Sequence, residues 1–201
     1  MSKGNENEKN EIELKVILVG SSGVGKTNLI SVCVGHSFDS KSKPTNCPSL
    51  LQKRLIINDY QYVINLWDTM GQEAFKSISK LFFREAQIVI FVYDITSKES
   101  FKNLEEWIQM ANETISNPFI SGIVGNKNDL YLQSEVDEVE ARKYAENKEM
   151  KFKLVSAKED PRSFEDFLIE LIKMYKVPEN IKKVVLKEIP DNEPKKKKKC
   201  C

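Results

Sequence analysis

Residues 20–27, Gly20-Ser21-Ser22-Gly23-Val24-Gly25-Lys26-Thr27, constrain the fold more than any other stretch of this 201-residue chain. Before them stands Leu14-Lys15-Val16-Ile17-Leu18-Val19, an apolar, β-branched run that reads as a buried strand. After them, Asn28 to Val34 is mostly apolar and reads as the opening of a helix. A strand, a tight Gly-rich turn and a helix starting at Lys-Thr is the context in which Gly-x-x-x-x-Gly-Lys-[Ser/Thr] cradles phosphate. The glycines let successive backbone N–H groups face an anion, and the helix N-terminus adds its positive dipole end. Residues 22–28 (Ser22, Gly23, Val24, Gly25, Lys26, Thr27, Asn28) are therefore candidate nucleotide-binding residues. Lys26 would reach the outer phosphates and Thr27 would ligate Mg2+. The bland alternative is a glycine-rich turn that binds nothing, and both flanks speak against it.

Composition narrows the partners. With 40% hydrophobic residues, the length suits one well-cored domain. Of 31 basic residues, eight lie in residues 178–201 against four acids, which leaves the rest of the chain with 23 basic and 26 acidic residues. Basic character is thus a tail property, and nucleic acid is not expected as the main partner. The four cysteines, Cys33, Cys47, Cys200 and Cys201, form no disulfide framework and suit a reducing compartment. His36 is the single histidine, which excludes a histidine-based triad or a multi-histidine metal site. Residues 1–11 are polar, unlike a signal peptide, and read as a disordered arm. No apolar run approaches the ~20 residues that span a bilayer.

Taken in order, residues 37–49 read as a loop, and Leu51–Asn58 and Tyr60–Trp67 as a hairpin turning at Asn58-Asp59. A short helix is expected over Ser79–Ala86. Gln87–Tyr93 reads as a strand buried on both faces. A helix from Lys98 to Ile115, capped by Ser97, comes next. The remaining elements are a strand over Phe119–Val124, a helix over Glu138–Lys148, a strand over Lys151–Val155 and a last helix over Ser163–Tyr175. The alternation implies an α/β domain with a mainly parallel sheet and one antiparallel strand, its ligands gathering at the carboxyl ends of the strands.

A phosphate loop alone leaves the base undefined. After the strand ending at Val124 stands Asn126-Lys127-Asn128-Asp129. The amide of Asn126 can reach the guanine O6/N7 edge. The carboxylate of Asp129 can accept from N1–H and N2–H, a donor pair adenine lacks, so ATP would leave it unmatched. Ser156-Ala157-Lys158 fits a further base-contacting loop. Trp67-Asp68-Thr69-Met70-Gly71-Gln72-Glu73 places Asp68 where it could hold Mg2+ through water. Gly71 there could offer an N–H to a γ-phosphate, and Gln72 could orient an attacking water.

With these motifs the chain resembles the Ras superfamily of small GTPases and, within it, the Rab family. The resemblance covers about residues 12–175 and the terminus. It rests on Trp67–Glu73, on Phe91-Val92-Tyr93-Asp94-Ile95-Thr96 with Ser100-Phe101, on Phe82-Phe83-Arg84-Glu85-Ala86, and on the terminal Cys200-Cys201. It implies a P-loop GTPase fold with a six-stranded, mostly parallel sheet, one antiparallel edge strand and about five helices. The domain would span residues 12–176, followed by a flexible polybasic tail over 177–201. By the same resemblance Phe38 lies against the guanine edge, and Thr45 binds Mg2+ and reads the γ-phosphate. Lys26 and Gln72 take the catalytic roles, and Leu50, Trp67 and Phe82 form an effector-binding surface.

The implied function is a GDP/GTP switch that uses Mg2+, hydrolyses GTP slowly and directs vesicle traffic. Its partners would be an exchange factor, a GTPase-activating protein, a GDP-dissociation inhibitor and effectors, with the GTPase domain itself monomeric. Cys200 and Cys201 would carry geranylgeranyl groups, and Lys195–Lys199 would add on the order of 1 kcal/mol each against an anionic cytoplasmic leaflet. That places the protein on the cytoplasmic face of an intracellular membrane, cycling with the cytosol. An unmodified, solubilising tail is the alternative. The chain also departs from the family: Asn46-Cys47-Pro48-Ser49-Leu50 follows Thr45, Met70 precedes Gly71, and Ser21 replaces a frequent aspartate. These departures keep a second reading open, a GTP-binding scaffold with little hydrolysis. An ATP-using kinase is disfavoured by Asn126 and Asp129.

Overall fold

The computed structural model describes residues 11–41, 45, 48–69 and 81–181. Six strands form one sheet: β1 (Glu11–Val19), β2 (Ser49–Ile57), β3 (Tyr60–Asp68), β4 (Ile88–Asp94), β5 (Ile120–Asn126) and β6 (Lys151–Leu154). Their order is β2-β3-β1-β4-β5-β6. Only the β2–β3 pair is antiparallel, and β2 lies at the edge. This is the expected fold class. The hairpin turns at Asn58 and Asp59, both left-handed (φ 51° and 67°), the geometry that matches the twist of its two strands.

The helices are α1 (Lys26–Cys33), α2 (Lys98–Lys102), α3 (Leu104–Thr114), α4 (Glu138–Asn147) and α5 (Pro161–Ile172), with a 3-10 segment at Asn128–Gln133. Three begin on side-chain caps: Ser97 accepts from the Ser100 N–H, Asp137 from that of Glu140, and Asp160 from that of Ser163. The single helix expected over Lys98–Ile115 is two, divided at Asn103. The apolar stripe runs through the division, so periodicity alone could not show it. Of the helix expected over Ser79–Ala86, residues 81–83 are helical and 84–86 are not, the reversal falling at Glu85 (φ 60°). β1 begins at Glu11, earlier than the apolar run suggested, because Glu11 already pairs in register with Gln61. Residues 1–10 of the expected arm and 182–201 of the expected tail lie outside the described residues.

The strand period of two divides the core. Leu14, Val16 and Leu18 of β1 face α1 and α5, packing with Leu29, Ile30, Phe164, Phe167 and Leu171. Ile17 and Val19 face the other way, toward Phe101, Trp107, Ile108 and Ala141 of α2, α3 and α4. All seven residues of β4 are buried, the unbroken apolar run Ile88–Tyr93 and the Asp94 that ends it. The chain leaves β1 toward β3 on one side and returns across it to β4 on the other. The carboxyl end of β1 therefore lies at a topological switch point, where such sheets bind ligands.

Candidate functional site

At that switch point a cavity of about 480 Å3 opens. It is lined by Ser22, Gly23, Gly25, Lys26, Thr27 and Asn28 from the loop and the start of α1. Phe38, Asp39, Ser40, Thr45 and Thr69 line its side, and Asn126, Lys127, Asp129, Leu130, Ala157 and Lys158 its far end. Six separate stretches of sequence meet there.

The loop is held tightly. A Cβ on Gly20 would collide with the Val92 carbonyl oxygen of β4, and one on Gly25 with the Asn126 amide nitrogen. Gly25 also adopts φ 96° as the residue before α1, and no side chain caps the helix. The first N–H groups of α1 are thus left to whatever occupies the cavity. Lys26 is buried, its Nζ donating to the Gly20 and Ser21 carbonyl oxygens at 2.8 and 2.9 Å. Burial lowers its pKa to about 8, against the opposing pull of Asp68. Val24 is buried, and its carbonyl oxygen accepts from Asn126 Nδ2 at 2.8 Å, tying the loop to the end of β5.

Three oxygen-bearing side chains converge beside Lys26. Thr27 Oγ1 donates to Asp68 Oδ2 at 2.7 Å and lies 2.8 Å from Thr45 Oγ1, which itself donates to Asp68 Oδ2 at 3.3 Å. Burial raises the pKa of Asp68, opposed by the Thr27 hydrogen bond, the Lys26 charge and the Thr45 hydrogen bond. Asp68 Oδ1 is buried without a hydrogen-bond partner among the described residues. Two hydroxyls and one buried carboxylate, whose second oxygen is orphaned, fit Mg2+, a hard cation that takes few protein oxygens and keeps waters and phosphate oxygens for the rest of its shell.

At the opposite end, Asn126 Oδ1 accepts from the Ala157 N–H at 3.4 Å. Asp129 is held by Ser156, whose Oγ donates to its Oδ1 at 2.7 Å, and Lys158 Nζ stands 4.0 Å from Oδ2. Ser156 in turn accepts from the Glu159 N–H. An amide and a carboxylate fixed by their own hydrogen bonds therefore face the same cavity. Phe38 is at its rim, 36% exposed, so it is no core residue. Asn28 sets it there by pairing both ways with the Asp39 backbone, Nδ2 to O at 3.0 Å and Oδ1 from N–H at 3.1 Å.

The structure thus brings together the candidate residues from Ser22 to Asn28, Phe38, Thr45, Asp68, Asn126, Lys127, Asp129, Ser156, Ala157 and Lys158. Gly71 and Gln72 lie outside the described residues, as do Met70, Asn46, Cys47, Cys200 and Cys201. Leu50, Trp67 and Phe82 stand apart from the cavity but together. Leu50 is opposite Trp67 in the hairpin, and the Trp67 and Phe82 ring centroids are 5.8 Å apart. Sequence reasoning missed two supports. Thr69 Oγ1 donates to the Leu18 carbonyl oxygen at 2.6 Å, and Asn103 Nδ2 donates to Ser21 Oγ at 3.2 Å. Neither carries a spacing signal, since each bridges elements distant in sequence.

A family model described as the Ras family matches residues 15–176, most of the chain and all of this cavity. The chain belongs to the Ras family. Its similarity is to Rab proteins in particular. It is 33% identical to the Ras-related protein RABA6b of Arabidopsis thaliana over 177 residues, 88% of this chain and 77% of that one. It is 30% identical to the Ras-related protein rab-11.1 of Caenorhabditis elegans over 88% of this chain and 84% of that one. Against the Ras-related protein Rab-7a of Dictyostelium discoideum it is 34% identical over 146 residues, 70% of this chain and 71% of the relative. A Rab-like small GTPase is therefore the setting in which the site is read.

Proposed function

We propose that this Rab-like chain is a GDP/GTP switch that binds guanine nucleotide with Mg2+, hydrolyses GTP slowly, and regulates vesicle traffic through effectors on an intracellular membrane. The observation that carries this reading is one cavity holding both ends of a nucleotide's chemistry. Lys26, Thr27, Thr45 and Asp68 stand at the phosphate end, and Asn126 and Asp129 at the base end. Thr27 and Thr45, with Asp68 behind them, would hold Mg2+, which when bound neutralises charge between the outer phosphates.

Lys26 supplies a cation at the terminal phosphates. Gln72 orients the water that attacks the γ-phosphorus in line, the bond to the β–γ bridging oxygen breaks, and GDP and phosphate leave. Thr45 links the loop before β2 to the phosphate end, so that loop orders when a third phosphate is present and relaxes when it is lost. Leu50, Trp67 and Phe82 form the surface on which effectors read the change. No arginine of the chain is identifiable as a finger acting in cis, so turnover is slow without an activating protein.

Single-turnover hydrolysis of GTP by purified protein tests this. Cleavage at well below 1 s−1, abolished by Gln72→Leu and raised by an activating protein, is the outcome the reading requires. Tight GTP binding with no cleavage under any condition would instead favour the scaffold reading left open by Met70 and the altered stretch after Thr45.

A further inference from the structure

Residues 91–96, Phe91-Val92-Tyr93-Asp94-Ile95-Thr96, helped to place the chain in its family yet contribute no group to the nucleotide cavity. Their central acid has a defined position. Asp94 ends β4 directly beside Asn126, which ends β5. Its side chain is 11% exposed, and its Oδ2 lies 2.5 Å from Lys127 Nζ. Its Oδ1 accepts from the Thr96 N–H at 2.9 Å and from Thr96 Oγ1 at 2.8 Å, so the carboxylate cannot swing away. The Ile95 N–H donates to the Asn126 carbonyl oxygen at 3.1 Å, and the Asn128 N–H to that of Val155 at 3.0 Å. Lys127 sits between these two anchors in the left-handed region, φ 66° and ψ 36°. A lysine adopts that conformation only where its surroundings impose it.

We propose that Asp94 is a positioning residue of the nucleotide site, holding Lys127 so that its aliphatic stem forms one wall of the base subsite between Asn126 and Asp129. The proposal rests on the guanine-nucleotide reading above and adds a residue outside the cavity to it. Lys127 lines the cavity, its side chain is one-third exposed, and its ammonium is paired with Asp94. A lysine stem is an apolar surface wherever its charged end is satisfied elsewhere. A flat purine covered by that surface keeps its edge presented to Asn126 and Asp129. Without Asp94 the ammonium has to find water, the stem leaves with it, and the base loses its cover.

The test is the dissociation rate of a fluorescent GDP analogue from Mg2+-loaded protein, measured for Asp94→Asn, Lys127→Gln, their double variant and Thr96→Val. Asp94→Asn keeps the shape and removes the charge, and dissociation is expected to quicken about tenfold, the scale of a lost hydrogen bond to a charged group. Thr96→Val, which removes one donor to Asp94, is expected to quicken it about threefold, the scale of a neutral bond. The double variant is expected to match Lys127→Gln alone, because Asp94 acts only through Lys127. A merely structural role for Asp94 predicts that the two effects multiply. Multiplying effects, or a rate within twofold of wild type for both Asp94→Asn and Thr96→Val, would overturn the proposal. Should Asp94→Asn fail to fold, Thr96→Val alone and combined with Lys127→Gln makes the same comparison. Wild-type protein that retains no guanine nucleotide overturns the functional reading as well. Tight wild-type binding with unresponsive variants overturns this inference only.

Discussion

Lys26 is a cation kept inside the protein by two carbonyl oxygens of its own loop, and burial makes its charge easier to lose than that of a surface lysine. Its pKa of about 8 has a measurable consequence. A phosphate group brought against it favours the charged form, so the pKa rises on binding and a proton is taken up. Affinity for GDP is therefore greatest below pH 8 and falls as pH rises through it. Calorimetry at pH 8.5 in buffers of different ionisation enthalpy should show net proton uptake, and its absence would mean that Lys26 does not meet the phosphates. Gly20 is constrained by space as well as by its φ of 150°. Gly20→Ala would drive a Cβ into the Val92 carbonyl oxygen, and should lower stability by about 3 kcal/mol or more, read from a urea transition.

At the scale of elements, the hairpin is the piece whose attachment matters most, because β2 and β3 carry Leu50, Trp67 and Asp68 and lead out from Thr45. Register pairing with β1 holds β3. The edge strand β2 has a second fastening, Lys53, whose Nζ donates to the Cys33 carbonyl oxygen at the end of α1 and pairs with Glu165 Oε1 of α5 at 2.9 Å. Lys53 is mostly buried, so the contact is protected from solvent screening. Lys53→Met should destabilise the protein by about 1–2 kcal/mol in a denaturant transition, with guanine-nucleotide affinity little changed. The hairpin turn is similarly specific. Asp59→Val would put a β-branched residue at φ 67°, and a loss of about 1–2 kcal/mol is expected in the same measurement.

For the whole molecule, the architecture sets the site at one end of the sheet and the hairpin pair Leu50–Trp67, with Phe82, on a separate face. In our proposal, a nucleotide-dependent change is read there by a partner that never touches the nucleotide. Among the described residues no helix is long and apolar enough to cross a membrane. In our proposal, membrane residence rests on the C-terminal lysines and cysteines. Cys200→Ser/Cys201→Ser protein should move from the membrane pellet to the soluble fraction of cells, while its GDP dissociation rate stays that of wild type. Equal partitioning of the two proteins would remove the anchoring proposal and leave the switch intact.

Much of this is legible in the amino-acid sequence. Local patterns are visible where one stretch has one physical role. Gly20–Thr27 closes a glycine-rich turn between strand and helix, Asn126 and Asp129 set an amide and a carboxylate three residues apart, and β4 is an unbroken apolar run from Ile88 to Tyr93 because both its faces are covered. Element type and strand direction follow from those patterns, as do most of the residues that line the cavity. Tertiary structure alone decided the rest. The break at Asn103 leaves no mark in an apolar stripe that continues across it. Thr27, Thr45 and Asp68 are 18 and 23 residues apart in sequence and become a single oxygen cluster only because β1 and β3 pair in parallel. Asp94 reaches Lys127 across 33 positions because β4 and β5 end side by side. Spacing reports what one element does, whereas the contacts that position its side chains depend on which strands become neighbours.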